Sequence, residues 1–278
     1  MYQIIDGKRI SQEIKDELKE KVAAMKAEGV ERCLAVIQVG SDPASSVYVN
    51  NKKKACEYIG IKSLSYELPE ETTEAELLEL IGSLNAREDV NGILVQLPVP
   101  EHIDEDKVLL AIAPQKDVDG FHPVNVGNLS IGRPGYVSCT PAGVIQLLKR
   151  SGIEIAGREC VVLGRSNIVG KPMAMLLLRE NGTVTVCHSR TKDLKEITRR
   201  ADILVVAVGK PKLVDADYVK EGAVVIDVGI HRNENNKLCG DVDFDSVAPH
   251  VSAITPVPGG VGPMTIAMLM NNCVEGCR

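Results

Sequence analysis

The chain has 278 residues, enough for one large domain or two ordinary ones, and its 44% hydrophobic and 25% charged residues are typical of a globular protein in water. A net charge of −6, no tryptophan and only two phenylalanines argue against a broad nucleic-acid-binding surface. No apolar run reaches the roughly 18 residues of a membrane span, and the first residues do not resemble a signal peptide. We therefore expect a cytoplasmic protein that binds neither nucleic acid nor membrane.

Eight cysteines are scattered along the chain, and no pair has the Cys-x-x-Cys spacing of common metal and redox sites. Several of them lie within apolar runs that are typical of strands. We expect buried free thiols in a reducing compartment and no metal, with a metal site as the weaker alternative.

The first 113 residues alternate between helical and strand patterns. Thr73 and Glu76 have the spacing of a capping box, which marks the start of a helix. Apolar spacing predicts helices at residues 10–28, from Pro43 to about 60, at 73–84 and at 105–113, and strands at 34–39, 61–68 and 93–96. This alternation predicts a parallel sheet with helices on both faces.

Residues 114–139 break the alternation, because proline, glycine, asparagine and aspartate cluster there without any period. We place the domain junction in this segment. A second alternating series follows, with predicted helices at 140–149, 168–179, 193–199 and 262–272, strands at 159–163, 183–187, 203–208, 223–228 and 251–254, and a small antiparallel ribbon near 238–242. The fold class is therefore α/β, with two domains that each hold a mainly parallel sheet flanked by helices.

A short polar loop joins the predicted strand at 159–163 to the helix that follows it. Such loops aim free backbone N–H groups at a phosphate, as in Rossmann-like dinucleotide-binding domains. Its glycines, Gly164 and Gly170, are six apart, and Ser166 stands where the usual fingerprint has its second glycine. The pattern alone is equally consistent with an ordinary strand-to-helix connection.

The end of the next strand favours NADP over NAD. An NAD site has an aspartate or glutamate about 20 residues after the loop, whereas this chain has Ser189 and Arg190 there. Together with Arg165 and Ser166, these residues offer donors and positive charge to a 2′-phosphate. The alternative is that Arg190 is an ordinary surface charge.

Three polar residues of the first half are candidates for chemistry. Tyr48 and Lys52 are four apart on a predicted helix and point to one side, where a tyrosine can position an amine. Lys53 and Lys54 follow, so a solvated basic run is the alternative. Gln96 ends a buried strand, at the edge of a parallel sheet where ligands gather, although a capping role is equally consistent.

Two further segments are candidates for binding. Asp117 and Asp119 precede Gly120 in the junction, and such a group can bind a metal, cap a turn or pair with the N–H edge of a ligand. The glycine- and proline-rich residues 256–263 form either a plain connection or a wall against which a flat ligand approaches the backbone.

Taken together, these segments resemble one family, the bifunctional methylenetetrahydrofolate dehydrogenase/methenyltetrahydrofolate cyclohydrolases, or FolD proteins. The matching segments occur in order along almost the whole chain. They are residues 48–55, 92–100, 116–123, 139–141, 164–172, 227–230 and 255–265.

The resemblance implies roles for individual residues. Lys52 is at the position of the family's catalytic lysine, Tyr48 at that of its aromatic partner over the substrate, and Gln96 at that of the glutamine that bonds the lysine. Asp119 matches the acid that holds the pterin ring. The other matches are Gly259 and Gly260 beside the folate, and Gly164, Arg165, Ser166, Ser189 and Ile230 among the cofactor contacts.

The resemblance also implies an architecture and a reaction. Residues 1–118 and 256–278 would form a folate-binding catalytic domain, and residues 140–255 an NADP-binding domain, with a cleft between them. The enzyme would be a homodimer in one-carbon metabolism that oxidises methylenetetrahydrofolate with NADP and hydrolyses the methenyl product. The alternatives are a dehydrogenase without hydrolase activity, against which Tyr48, Lys52 and Gln96 argue, and a nucleotide-binding module without catalysis.

Overall fold

The computed structural model describes residues 2–276, apart from the side chains of residues 43–45. The helices are α1 (Gly7–Ala27), α2 (Pro43–Ile59), α3 (Glu74–Ala86), α4 (Glu105–Ala111), α5 (Pro123–Ser130), α6 (Cys139–Arg150), α7 (Gly170–Arg179), α8 (Leu194–Thr198), α9 (Phe244–Val247) and α10 (Val261–Glu275). The strands are β1 (Gln3–Ile4), β2 (Cys33–Val39), β3 (Lys62–Leu68), β4 (Gly92–Val95), β5 (Glu159–Leu163), β6 (Thr183–Cys187), β7 (Ile203–Val206), β8 (Val224–Asp227), β9 (His231–Arg232), β10 (Leu238–Cys239) and β11 (Ala253–Ile254).

The chain divides into two compact units, which we describe separately. The six-stranded unit comprises the described residues up to Ser11 and Ser138–Thr265. The three-stranded unit comprises Gln12–Val137 and the described residues from Ile266 on. The boundaries fall within α1 and α10, so neither helix belongs to one unit alone. Which ligand each part of the chain binds stays a prediction.

The six-stranded unit has a parallel sheet whose strand order is β1-β11-β8-β7-β5-β6. The chain runs from β5 outward to β6 and then returns to β7 on the other side of β5, so the strand order reverses at β5. In open parallel sheets a ligand binds at the carboxyl ends of the strands where the order reverses. Valine, leucine and isoleucine from β5, β7 and β8 are buried, as expected of strands covered on both faces.

The three-stranded unit has a parallel sheet in the order β3-β2-β4. All seven residues of β2, the central strand, are buried. Helix α3 covers this sheet with Leu77, Ile81 and Leu84, and the predicted capping box is present at its start. The prediction of a parallel sheet in the first half is therefore confirmed.

Helix α5 lies in the junction, where the sequence predicts no regular structure. His122 caps it, since its Nδ1 accepts the N–H of Val124 at 3.1 Å, and Pro123 occupies the first turn. The helix has eight residues and buries the polar side chain of Asn125 as well as Leu129. The apolar positions of α5 are therefore too few to form a helical pattern that can be recognised in the sequence.

The described cysteines are free thiols, buried except for Cys239, which is half-buried; Cys277 lies outside the described residues. Burial raises the pKa of Cys56 to about 12 and that of Cys160 to about 11, which keeps both protonated at neutral pH. Within residues 2–276, no helix is long and apolar enough to cross a membrane.

Candidate active site

Lys52 is a buried lysine on α2, one helical turn after Tyr48. It is 9% exposed, whereas Tyr48 is 41% exposed. The ammonium group of Lys52 donates a hydrogen bond of 2.9 Å to the Oε1 of Gln96. Burying an ammonium is costly unless it is paired. A solvated basic run therefore describes Lys54, which is exposed, but not Lys52.

Gln96 is held rigidly at the end of β4. Its backbone N–H donates to the carbonyl of Ile37 at 2.8 Å, which continues the pairing of β4 with β2. Its side-chain Nε2 donates to the carbonyl of Leu97 at 2.7 Å. Because a carbonyl takes the amide nitrogen, the amide oxygen faces Lys52, and the hydrogen bonds determine the orientation of the amide.

Asp117 and Asp119 have different environments. Asp117 is 2% exposed, and its Oδ2 accepts the N–H of His122 at 2.8 Å and the Nδ2 of Asn125 at 2.9 Å. This carboxylate therefore holds the loop that leads into α5. Asp119 is half-buried, and desolvation raises its pKa to about 6, although the charge of Lys52 acts in the opposite direction. Asp119 is thus the acid of this pair whose pKa is influenced by the charge of Lys52.

A short extension of the sheet positions Asp119. Residues 116–118 lie beside β4, with a parallel bridge between Ile93 and Asp117 and a hydrogen bond of 2.7 Å from Ile93 N–H to the carbonyl of Lys116. A Cβ at Gly92 would lie 2.5 Å from Val118, so this close approach requires glycine. Since β4 and residues 116–118 run in parallel, Gln96 and Asp119 emerge at the same edge of the sheet.

The predicted phosphate loop follows β5 in the six-stranded unit. Gly164 has φ +135°, and a Cβ there would lie 2.2 Å from the carbonyl oxygen of Ala207. A Cβ at Gly170 would lie 2.3 Å from the carbonyl oxygen of Gly164. Both glycines are therefore required by the backbone, and the loop closes tightly on itself and on the end of β7.

Ser166 organises the start of α7. Its hydroxyl accepts the N–H groups of Val169 at 3.2 Å and Gly170 at 3.3 Å. The helix consequently begins at Gly170, two residues after the predicted start at Ile168. Arg165, Ser166 and Asn167 are exposed on this loop, so their side chains are accessible to a ligand.

The end of β6 lies next to this loop. β5 and β6 are parallel neighbours with Leu163 opposite Cys187, so the residues that follow them leave the sheet at the same edge. Ser189 and Arg190 are both exposed there. The turn is held by the backbone N–H of Arg190, which donates to the Nδ1 of His188 at 3.1 Å. His188 thus has a structural role, and the two donors predicted for a 2′-phosphate are accessible.

The remaining predicted residues lie further along the same unit. Ile230 follows β8 and is 48% exposed, so its side chain is accessible to a ligand. Gly259 and Gly260 form part of a tight turn: Gly259 has φ +107°, and a Cβ at Gly260 would lie 2.6 Å from the carbonyl of Pro256. The carbonyl of Gly259 also accepts the N–H of Lys8 at 3.1 Å. The assignments of all these residues to substrate or cofactor stay predictions.

Two buried acids of this unit, Asp227 and Asp241, are 3% and 0% exposed, and their sequence pattern predicts no role for them. Asp227 lies between Ile226 and Val228, and Asp241 lies between Gly240 and Val242, so the sequence shows only an acid in a mostly apolar neighbourhood and does not reveal its partners. Within the described part of the chain, no group of three or more histidine, cysteine, aspartate or glutamate side chains could hold a metal ion.

Two family models together match most of the chain. The catalytic domain of tetrahydrofolate dehydrogenase/cyclohydrolase matches residues 5–119, and its NAD(P)-binding domain matches residues 138–278. The chain belongs to the tetrahydrofolate dehydrogenase/cyclohydrolase family. The resemblance inferred from the sequence motifs is thereby confirmed.

Relatives within the tetrahydrofolate dehydrogenase/cyclohydrolase family are similar over their full length. The bifunctional protein FolD of Lachnoclostridium phytofermentans is 75% identical over 278 residues, covering 100% of this chain and 99% of the relative. The crystal structure of the FolD methylenetetrahydrofolate dehydrogenase/cyclohydrolase from Campylobacter jejuni is 55% identical, with a TM-score of 0.97 over 99% of this chain and 98% of that one.

A further family structure contains a cofactor. The FolD of Trypanosoma brucei, complexed with NADP and an inhibitor, is 42% identical, with a TM-score of 0.93 over 98% of this chain and 96% of that one. The predicted fold class, with mainly parallel sheets flanked by helices, is confirmed by these similarities and by the strand pairing described above.

Proposed function

We propose that this protein is a bifunctional folate enzyme of one-carbon metabolism. It oxidises 5,10-methylenetetrahydrofolate to 5,10-methenyltetrahydrofolate with NADP⁺ and hydrolyses the product to 10-formyltetrahydrofolate. The observation that carries the proposal is the partly buried hydrogen bond between Lys52 and Gln96, together with the half-buried Asp119, whose pKa is influenced by the charge of Lys52. Identity to bifunctional relatives over the whole length supports both activities.

The six-stranded unit fits NADP. The backbone at Gly164 and Gly170 has no room for a Cβ. A dinucleotide phosphate site requires such a close-packed turn. Arg165, Ser189 and Arg190 present exposed donors and positive charge at the adjoining strand ends, and a 2′-phosphate requires such partners. When bound, NADP⁺ supplies the hydride acceptor.

The chain's role in the oxidation is to position the substrate. Loss of hydride from the methylene bridge leaves a cation that is delocalised over N–C–N, so no acid or base is needed at that carbon. Asp119 accepts hydrogen bonds from the N–H edge of the pterin, and Tyr48 covers a face of the substrate. Correct placement of two reacting groups is itself a large part of catalysis in such a step.

The hydrolysis needs proton transfers, which Lys52 performs. Water adds to the electrophilic methenyl carbon and loses a proton, and the C–N5 bond then breaks as N5 gains a proton. The neutral amine of Lys52 can accept the proton that the water loses, and the ammonium so formed can return it to N5. Gln96 orients Lys52, because its amide oxygen accepts an N–H of Lys52 and directs that group.

The test follows formation of NADPH by its ultraviolet absorbance when methylenetetrahydrofolate and NADP⁺ are added, with methenyltetrahydrofolate consumption measured in a separate assay. Activity in both assays is expected. If NADPH forms without hydrolysis, the protein is a dehydrogenase alone. If neither NADP⁺ nor NAD⁺ is reduced, the protein is a nucleotide-binding module and the proposal is wrong.

We further propose a cytoplasmic homodimer that assembles through the six-stranded unit. The antiparallel ribbon of β9 and β10 supports this, because the residues around its turn, 232–237, are exposed and Leu238 is only half-buried. Sedimentation velocity should give twice the mass of one chain. A monomer at micromolar concentration would contradict the proposed assembly without affecting the proposed reaction.

A further inference from the structure

The side chain of Asp241 is fully buried, and its carboxylate contacts two loops. Its Oδ2 accepts the backbone N–H groups of Val208 at 2.7 Å and Gly209 at 3.0 Å. Its Oδ1 accepts the N–H of Lys210 at 2.8 Å and lies 2.7 Å from the Nε2 of His231. Three successive backbone N–H groups thus converge on one anion, as in the backbone nests that bind phosphates, but the anion here belongs to the protein.

A second buried carboxylate holds Asp241 in place. Asp227, at the end of β8, accepts the N–H groups of Gly229 and Asp241 with Oδ1, at 2.9 and 3.0 Å, and that of Val242 with Oδ2, at 3.0 Å. A Cβ at Gly240 would lie 1.8 Å from Asp227, so only glycine permits this approach. The two acids form a rigid support beneath the loops that follow β7 and β8.

The strand order indicates which half of NADP meets these loops. The phosphate loop follows β5, and the donors for the 2′-phosphate follow β6, on one side of β5. A dinucleotide that spans the carboxyl edge must extend its other half in the opposite direction, over β7 and β8. The loops there are residues 207–210 and 228–231, the two that Asp241 joins.

We infer that Asp241 is a positioning residue for the nicotinamide half of NADP, because its carboxylate fixes the loops after β7 and β8 relative to one another. This inference rests on the proposed function. Asp241 acts through the backbone of residues 208–210 and through His231, which directly follows the predicted cofactor contact Ile230. It therefore determines where the hydride acceptor lies without touching it.

A carboxylate group suits this role, whereas an amide does not. Its three backbone partners are donors, His231 donates in the tautomer that carries its proton on Nε2, and a carboxylate offers only acceptors. In Asp241→Asn, the new NH₂ group would face N–H groups and leave at least one of them unpaired in a buried site. The loops should then move apart while the sheet, which has its own pairing, stays intact.

The experiment compares the binding of NADP⁺ and of 2′-phospho-ADP-ribose, which lacks nicotinamide, to the apoenzyme by calorimetric titration. Asp241→Asn should weaken NADP⁺ binding about tenfold or more and leave binding of the fragment within about twofold of wild type. In steady state, the KM for NADP⁺ should rise and the dehydrogenase kcat should fall. Hydrolysis of methenyltetrahydrofolate, which consumes no NADP, should be retained.

Asp243→Asn is the matched control, since it removes the same charge two residues away, where the side chain pairs with Lys212 at 3.1 Å and is partly exposed. It should bind both ligands like wild type. If Asp241→Asn does not fold, His231→Ala removes only the link to the loop after β8, and it should weaken NADP⁺ binding while sparing the fragment.

Two results would overturn the inference. Both concern Asp241→Asn or, if that variant does not fold, His231→Ala. One is an equal loss of affinity for NADP⁺ and for 2′-phospho-ADP-ribose. The other is wild-type affinity for both ligands. Neither result depends on turnover. If the wild-type protein bound NADP⁺ but did not oxidise methylenetetrahydrofolate, the proposed function would be wrong. The binding titrations would still test the role of Asp241.

Discussion

The ammonium nitrogen of Lys52 and the amide oxygen of Gln96 lie 2.9 Å apart, although 44 positions separate the residues in the sequence. One residue is on a helix and the other follows a strand, so only the packing of α2 on the sheet brings them together. The contact leaves a buried amine beside a neutral acceptor and near the carboxyl group of Asp119, the arrangement on which the proposed hydrolysis depends.

Replacing Lys52 tests the hydrolysis. Lys52→Met should lower cyclohydrolase kcat by about 10²-fold or more, because it removes the group that transfers the proton. Affinity for NADP⁺ should be unchanged. Lys53→Met is the control, since Lys53 pairs with Glu67 at 2.7 Å at the surface. Normal hydrolysis of methenyltetrahydrofolate by Lys52→Met would remove Lys52 from the mechanism.

Asp119 predicts a pH dependence of folate binding. Its pKa is raised from 3.8 to about 6, so the carboxylate that accepts the pterin N–H groups is lost as the pH falls through about 6. Affinity for tetrahydrofolate, measured by titration, should therefore decrease between about pH 8 and pH 5. Asp119→Ala should weaken folate binding more than NADP⁺ binding and remove this pH dependence. An unchanged pH profile in the variant would assign the titration to another group.

The raised pKa of Asp119 also predicts that the stability of the protein decreases as the pH rises, whereas folate affinity increases. Because folding raises the pKa of Asp119, the protonated form favours the folded state; the associated stability is present below about pH 4 and lost as the pH rises through about 6. Asp119→Asn should therefore increase the free energy of unfolding at neutral pH by up to about 3 kcal/mol, and the increase should vanish below about pH 4. Urea denaturation at the two pH values measures it.

Arginine at the strand ends predicts cofactor preference. Arg190→Ala and Arg165→Ala should each raise the KM for NADP⁺ about tenfold and change that for NAD⁺ little, because only NADP⁺ carries the 2′-phosphate. The nearby exposed residue Lys192 provides the control variant Lys192→Ala. If wild-type protein used only NAD⁺, the interpretation of both arginines would be wrong.

The hydrogen bonds of Lys116 predict a role in stability alone. Its ammonium donates to the carbonyls of Leu84, Asn85 and Arg87 at 3.1, 2.8 and 2.6 Å and so satisfies the carboxyl end of α3. Lys116→Met should lower the free energy of unfolding by about 2 kcal/mol. Lys107→Met, which breaks a surface ion pair with Glu74, should cost less than about 1 kcal/mol. Equal costs in denaturant unfolding would contradict the capping role.

Most helices and strands were predictable because their stabilising pattern is local. Thr73 and Glu76 are three residues apart, and the apolar residues of α3 repeat at helical spacing, so both features are visible in a short window. Helix α5 was not predictable, since its cap is a histidine and it buries an asparagine. Strand β1 has two residues, and pairing with β11, far along the chain, defines it.

The candidate residues followed the same rule. Glycines such as Gly164 and polar residues at strand ends, such as Gln96, were recognisable from their position in the pattern. The support formed by Asp227 and Asp241 was not, because its partners are backbone N–H groups from three separate segments. A side chain that bonds to backbone leaves no complementary residue type for a sequence pattern to reveal.

The sequence by itself determined the α/β class, the family and the residues that carry the predicted chemistry, because these depend on periodicity and on ordered local motifs. Only the tertiary structure decided that Lys52 is buried against Gln96, that Asp117 supports a loop while desolvation raises the pKa of Asp119, and that Asp241 joins two loops. The physical reason is that burial, desolvation and convergence of hydrogen-bond donors arise from residues that meet only when strands and helices pack.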